Sequence, residues 1–540
     1  MPKLLLSLLF VTFSNLALAM ASTSAVKPPN ILLVVLDDLG YTDLGSYGSE
    51  IATPNLDKLA MGGTRYTNFY TAPTCSPTRA MLLTGADSHL VGLGNMHEEL
   101  SPNQKGKPGY EGHLNTRAAN LAEVLKRSGY NTYMTGKWHL GLKEEHSPKA
   151  RGFEKSYALL QGGAGHFDDL GLFGGPAKYR EDGKSVTLPE DFYSTRFFTE
   201  KMMNYIEADR AQDKPFFAYL AYTAVHWPIQ APKASIDKYR GRYDKGYDQL
   251  LTDRIHGAIA KGVLPEGSEP VPGAPESRPW SQLTAQERKV EARKMEIYSA
   301  MMDDVDIYMG KLVDYLKSIG EYDNTIIFFM SDNGAEGHDL DHGLTEVKPW
   351  VEECCNNSYD NMGKADSYLL VGANWARASA GAVKHYKGFT TEGGIKAPAF
   401  LAYPGLKAKS KVDSRFIQAI DVMPTLLELA GIPVPGPRFA GREVLPMTGQ
   451  SFLSESSSQT IDAGWELMGK RGYRYGDWKL VHLPKPYGNG KWQLYNLAQD
   501  PGEQTDLAAS NPSILSDMIG RWQAYADKNG VILPDWVSGY

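Results

Sequence analysis

Two short apolar runs constrain this chain more than anything else in it. Asn30-Ile31-Leu32-Leu33-Val34-Val35-Leu36 runs into Asp37-Asp38, and Thr325-Ile326-Ile327-Phe328-Phe329-Met330 runs into Ser331-Asp332-Asn333-Gly334. Unbroken apolar stretches of this length, without alternation, suit parallel strands buried on both faces. Two such strands with acidic ends predict an α/β fold whose doubly wound sheet gathers a site at one edge. Adjacent carboxylates at a buried strand end repel one another unless a cation sits between them; the alternative is a solvated turn.

The rest of the pattern fits that architecture. Short helices are predicted over Asn55 to Met61 and Thr116 to Ser128, and strands over Tyr66 to Tyr70, Tyr130 to Met134 and Phe216 to Tyr222. Gln286 to Gly320 carries a helix-spaced apolar stripe, whereas residues 231–281 are rich in Gly, Pro and charge and read as a surface excursion. A strand over Phe400 to Tyr403 and a helix over Phe416 to Gly431 follow. Pro433 to Gly441 reads as a boundary, beyond which Gly472 to Leu483 and Trp492 to Asn496 form a hairpin pattern before a helix near Pro512 to Asn529. The expected organisation is a leader at 1–21, an α/β domain at 22–435 and a smaller antiparallel-sheet domain at 436–540.

Lys3, the apolar stretch from Leu4 to Leu18 and the small residues around Ala19 and Ala21 make Met1–Ala21 a secretory signal, placing the mature chain in a periplasm or outside the cell. No later run is long enough to span a bilayer. A net charge of −7 gives no reason to expect nucleic acid as a partner. Only three cysteines are present, Cys75, Cys354 and Cys355. Neighbouring cysteines rarely bridge well, so the expectation is that no disulfide framework holds the fold.

One segment carries the chemistry. In Pro73-Thr74-Cys75-Ser76-Pro77-Thr78-Arg79-Ala80-Met81-Leu82-Leu83-Thr84-Gly85, Ser76 is expected to cap a helix whose first turn contains Pro77. Cys75 would then sit at an anion-favouring helix end with Arg79 one turn on. A capped helix preceded by a structural cysteine is the other reading. Lys137 and His139, two apart, point the same way if extended, and His226 lies just past a strand. Asp37, Asp38, Asp332 and Asn333 form a hard-oxygen set that suits calcium or magnesium and fits zinc poorly. Their three carboxylates, set against Arg79, Lys137, Lys387 and a divalent cation, leave an excess of two positive charges for an anionic ester.

Cys-Ser-Pro-Thr-Arg followed by Ala-Met-Leu-Leu-Thr-Gly resembles the signature of the Cys-type sulfatases. Gly129 to His139 is similar to the family's second signature, apart from Thr135, and Tyr495 to Glu503 to its tail motif Tyr-Asn-Leu-x-x-Asp-Pro-x-Glu. Asn357 to Asn361 and Trp375-Ala376 resemble secreted bacterial arylsulfatases. The resemblance implies the alkaline-phosphatase-like sulfatase fold: a large, mixed, mostly parallel sheet flanked by helices, with a smaller C-terminal antiparallel sheet. It implies hydrolysis of a small-molecule or glycan sulfate ester, with Cys75 oxidised to formylglycine by a formylglycine-generating enzyme, and it selects calcium. Asp37, Asp38, Asp332, Asn333 and the modified Cys75 would hold the ion. The hydrated aldehyde, steadied by Arg79 and helped by Asp332, would attack sulfur. Lys137, His226 and Lys387 would bind the sulfate, the last two near the leaving oxygen, and His139 would take the proton that restores the aldehyde. A phosphodiesterase or phosphonate monoester hydrolase of the same fold and a non-catalytic sulfated-glycan binder are the competing readings. His97, His113, His166 and Trp227 are candidates for lining the pocket, with core or surface roles as the alternative.

Overall fold

The structure is a computed structural model that describes residues 27–274, 277–404, 411–453 and 460–538. The expected leader at Met1–Ala21 lies outside them. Among the described residues no helix is long and apolar enough to cross a membrane.

Eleven strands form the main sheet: β1 Asn30–Leu36, β2 Thr64–Tyr70, β3 Asn131–Lys137, β4 Lys155–Leu159, β5 Tyr179–Glu181, β6 Lys184–Ser185, β7 Phe216–Ala221, β8 Thr325–Ser331, β9 Lys396–Ala402, β10 Lys411–Asp413 and β11 Ile417–Gln418. Their order is β10-β2-β9-β8-β1-β7-β3-β4-β5-β6, with β11 also paired to β2. β8, β1, β7, β3 and β4 are mutually parallel, whereas β9 runs antiparallel to both neighbours. The sheet is therefore mixed and mostly parallel.

The apolar runs are buried on both faces, as expected. Leu32, Val34 and Leu36 face a core shared with the helices Ser194–Asp209, Tyr247–Ala260 and Ala285–Ser318. Ile31, Leu33 and Val35 face a second core built with Cys75–Thr84, Leu121–Arg127 and Val422–Leu429. Beyond these layers, Asp462–Leu467, Lys470–Tyr475, Trp478–His482 and Trp492–Asn496 form a four-stranded antiparallel sheet. Met518 and Trp522 of the helix Pro512–Asn529 pack against its Tyr473, Leu480 and Leu494.

Several sequence expectations need correction. The helix expected from Thr116 starts at Leu121, because Asn120 and Glu123 form a reciprocal capping box there. The helix expected from Phe416 starts at Val422, since β11 and a short turn occupy the preceding residues. Residues 231–281 are not merely a surface excursion: Leu250, Leu251 and Ile255 of Tyr247–Ala260 enter the core. Its Arg254 is buried because Asp43 and Glu50 pair with it, and a charged residue inside a helix hides that helix from an apolar-pattern reading. Cys354 and Cys355, whose state the sequence left open, are joined in a disulfide. A link between adjacent residues closes almost no chain, so the core still holds the fold.

The strand that delivers Lys137 has a tight packing requirement. Gly136 has φ 108°, and a Cβ there would lie 1.7 Å from the Ala221 carbonyl oxygen of β7. Gly136→Ala is expected to destabilise the protein by about 3 kcal/mol or more, since neither backbone nor oxygen can yield. Gly62→Ala, at an exposed helix end with nothing within 4 Å, should stay within about 0.5 kcal/mol of wild type. Denaturant titrations of the two variants check the contrast, and a wild-type-like Gly136→Ala would contradict it.

Candidate active site

Strand pairing brings the acidic ends together. Leu36 is in register with Ser331, and the Asp332 N–H donates to the Leu36 carbonyl at 3.1 Å. Asp37 N–H donates to the Ala224 carbonyl, just past the end of β7, at 3.1 Å. Asp38 has φ 64°, a left-handed conformation that Asp tolerates better than most residues, and its N–H reaches Asp332 Oδ1 at 3.3 Å. On the far side of β7, β3 carries Lys137 to the same edge.

Cys75 opens the helix Cys75–Thr84, and all ten of its residues are buried. Its N-cap residue is Thr74, not Ser76 as the sequence suggested. The helix starts two residues earlier, and the Ser76 hydroxyl lies buried without a hydrogen-bond partner. Gly85, with φ 64°, closes the helix. Burial pushes the Cys75 thiol well above its ordinary pKa, although Lys137 and Lys387 pull the other way. As a thiol, then, this group is poorly suited to act as a thiolate nucleophile.

Oppositely charged groups interlock around it. Arg79 donates through Nε to Asp332 Oδ2 at 2.9 Å and through Nη1 to the Lys137 carbonyl at 2.9 Å. Lys137 Nζ lies 2.8 and 2.7 Å from the two Asp37 oxygens. Lys387 Nζ lies 2.9 Å from Asp38 Oδ1, and Asn333 Nδ2 donates to that same oxygen at 2.7 Å. His226 Nε2 is 3.6 Å from Asp38 Oδ2. His226 also has its Nδ1 2.6 Å from the Trp227 carbonyl and its ring stacked on Trp227. Burial raises Asp37, but Lys137, Arg79 and Lys387 outweigh it and hold this carboxyl below its usual range. For Asp38 burial wins over Lys387, with Asp37, Glu336 and Asp332 adding to it, and the group is pushed up to about 8.

His139 departs from the expected geometry. Its φ of 55° breaks the strand alternation, so it does not side with Lys137 on Asp37: its Nε2 lies 2.9 Å from Glu98 Oε1. Burial opposes ionisation of Glu98, yet His139 beside it brings the carboxyl down to about 2, which makes it an ionised acceptor. His139 Nε2–H is therefore the donor, and its buried Nδ1, without a partner, is the basic nitrogen.

Glu98 and Glu336 are the two groups the sequence reading missed. Glu336 is buried, with Oε2 3.2 Å from Lys387 Nζ and accepting from Trp227 Nε1 at 3.3 Å, while Oε1 lies 2.7 Å from His338 Nδ1. Glu98 lies in the short helical turn His97–Glu99 and Glu336 in a polar loop, and spacing offered no signal for either. Among the pocket candidates, Trp227 lies beside His226, and His97 lines a cavity of about 150 Å³ with Glu98, His139, Leu160 and Phe173. His166 is a buried support, its Nε2 3.0 Å from the His226 carbonyl and its Nδ1 2.7 Å from Ser194 Oγ. His113 stacks on His146, 3.5 Å between ring centroids.

The oxygen donors gathered here, Asp37, Asp38 and Asn333, suit a hard divalent cation, whereas Cys75 and His226 add a sulfur and a nitrogen to the cluster. Side-chain atoms of Asp37, Asp38, Cys75 and His226 lie within 4.8 Å of one another, and Asn333 Oδ1 is a buried acceptor with no hydrogen-bond donor. Asp332, counted with the ligands from sequence, has its oxygens turned to Arg79 and the Asp38 N–H.

The Glu98 contact has a measurable consequence. Burial lowers the His139 pKa and Glu98 partly restores it. Removing that carboxylate as Glu98→Gln should move the His139 titration to lower pH. An NMR titration of the imidazole reads this, and an unchanged midpoint would contradict the pairing.

The chain resembles known proteins over most of its length. The family model described as Sulfatase matches residues 29–432, and N-sulphoglucosamine sulphohydrolase, C-terminal, matches residues 384–518. An uncharacterized sulfatase of Schizosaccharomyces pombe is 43% identical over 526 residues, spanning 94% of this chain and 95% of that protein. An arylsulfatase of Klebsiella aerogenes is 36% identical over 454 residues, 83% of this chain and 96% of the relative. Among solved structures, that of Ps i-CgsB in complex with k-i-k-neocarrahexaose is similar with a TM-score of 0.66 at 26% identity, covering 95% of each chain. The chain belongs to the sulfatase family and is a sulfuric ester hydrolase.

Proposed function

We propose that this sulfatase is an arylsulfatase that works through a formylglycine made from Cys75 and a bound calcium ion. The observation that carries the reading is the position of Cys75. It is the first residue of a buried helix, with its sulfur in one cluster with Asp37, Asp38 and His226, and with Lys137 and Lys387 on those carboxylates. Support for an aromatic leaving group comes from the wall beside His226, where Trp227 stacks on the imidazole and packs against Phe173 and Tyr368.

Calcium would offset the crowded carboxylates and polarise the ester's sulfuryl group. Formylglycine, as a hydrated aldehyde, would supply a hydroxyl nucleophile and a second hydroxyl through which the aldehyde is recovered. Asp37, Asp38, Asn333 and the modified Cys75 would hold the ion, with Asp332, turned to Arg79 and the Asp38 N–H, beside them. Arg79 fixes the nucleophile's surroundings by tying Asp332 to the end of β3. Lys137 and Lys387 supply positive charge for the sulfate oxygens, His226 and Lys387 face the leaving oxygen, and His139 takes a proton at Nδ1.

Charge balance favours a singly charged ester. With a divalent cation bound to keep Asp38 ionised, four buried carboxylates including Glu336 face Arg79, Lys137 and Lys387, one more negative charge than positive. This corrects the earlier count, which lacked Glu336: a divalent cation leaves one positive charge rather than two. That single charge matches a sulfate monoester, whereas a phosphate monoester dianion would leave the site net negative.

Export and maturation belong to the same proposal. The leader pattern at Met1–Ala21 supports a periplasmic or secreted enzyme, matured by a formylglycine-generating enzyme.

Cys75→Ala is expected to abolish turnover of 4-nitrophenyl sulfate while leaving the melting temperature within a few degrees of wild type. Unchanged turnover would discard the reading. Wild type should favour 4-nitrophenyl sulfate over the matched phosphate by about a hundredfold or more in kcat/KM. The reverse preference would move the assignment to a phosphoesterase.

A further inference from the structure

The tail motif Tyr495 to Glu503 lies outside the chemistry described so far, yet it reaches back to the active site. Asn496 and Asp500 build its turn: Asn496 Oδ1 accepts from the Ala498 N–H at 3.1 Å, and Asp500 Oδ2 from the N–H groups of Gln504 and Thr505 at 2.8 and 2.7 Å. The turn holds Glu503 at φ 53°, fully buried. There Glu503 Oε2 accepts from the Glu392 N–H at 2.9 Å, and the Glu503 carbonyl accepts from Lys384 Nζ at 3.1 Å. Lys384 Nζ also lies 3.3 Å from Tyr495 Oη.

Lys384 and Glu392 flank Lys387. The segment closes on itself through Gly393 N–H to the Lys384 carbonyl at 2.9 Å. Its middle is stitched to the site by Lys387 N–H to the Ala335 carbonyl at 3.0 Å and Gly388 N–H to the Pro73 carbonyl at 2.8 Å. Side chains added at Gly393 or Gly394 would lie within 2.2 Å of the loop's own carbonyls, so the loop has one tightly wrapped path. From the same C-terminal sheet, Lys479 Nζ donates to Glu392 Oε1 at 2.9 Å, and Tyr70 at the end of β2 donates to Oε2 at 2.6 Å.

We propose that Glu503 is a positioning residue for Lys387: its carboxylate holds the Glu392 side of the Lys387 loop, its main-chain carbonyl holds Lys384 on the other, and together they set where that ammonium meets the leaving oxygen. The inference rests on the sulfatase reading of Lys387 given above. A group that stabilises the departing oxygen matters most when the departing alcohol is a poor leaving group. Displacing it should therefore raise the sensitivity of the rate to the leaving group rather than lower all rates alike.

The test uses full-length mature protein and two substrates, 4-nitrophenyl sulfate with a good leaving group and phenyl sulfate with a poor one. Glu503→Ala should lower kcat on phenyl sulfate by about tenfold or more and on 4-nitrophenyl sulfate by about twofold or less. Glu503→Gln, which keeps an acceptor for the Glu392 N–H, should restore most of the loss. In a Lys387→Ala background, Glu503→Ala should produce no further change in the ratio of the two rates. Because both rates are read on one sample, a reduced folded fraction cancels from the ratio. An unchanged ratio in Glu503→Ala, or an effect additive with Lys387→Ala, would overturn the positioning role. A mature wild-type enzyme inactive on both esters would instead remove the arylsulfatase reading and this role with it.

Discussion

Charge compensation inside a dry sheet edge is the constraint on which this structure depends. Asp37, Asp38, Asp332 and Glu336 are all buried, and so are Arg79, Lys137 and Lys387. Buried charges persist only when paired and hydrogen-bonded, so each acid is matched to a specific cation from a different part of the chain. Lys137 comes from β3, Arg79 from the helix after Cys75, and Lys387 from the loop before β9. The strand register that aligns Leu36 with Ser331 makes that pairing possible, and the two cores on either face hold the register.

What could be read from the sequence follows from the same physics. β1 and β8 were legible because strands buried on both faces leave an unbroken apolar trace, and their acidic ends marked the edge. Cys75, Arg79, Lys137 and Lys387 lay in long motifs. Glu98 and Glu336 were not legible, because each acts across the chain on a group far away in sequence, His139 and Lys387 respectively. The helix Tyr247–Ala260 was missed for a related reason, since its buried Arg254 is neutralised by Asp43 and Glu50, which are far away in sequence. Only the pairing makes such a residue look apolar to the core. Ser76 shows a smaller limit: Ser-Pro suggested a helix start that the backbone places two residues earlier.

The C-terminal sheet is part of this economy of charge. Lys479 and Glu503 reach from it to Glu392, and Trp465 donates to the Thr71 carbonyl at the strand end that leads to Cys75. Both loops that carry reactive groups are thus fixed from the same side.

The central claim is that an aldehyde at position 75, rather than a thiol, does the chemistry. The most direct measurement pairs the mass of the Cys75 peptide with turnover across preparations matured to different extents. The aldehyde form is lighter than the thiol by about 18 Da. The account predicts a rate proportional to the aldehyde fraction, falling to zero with it, and full turnover from protein carrying only the thiol would contradict it.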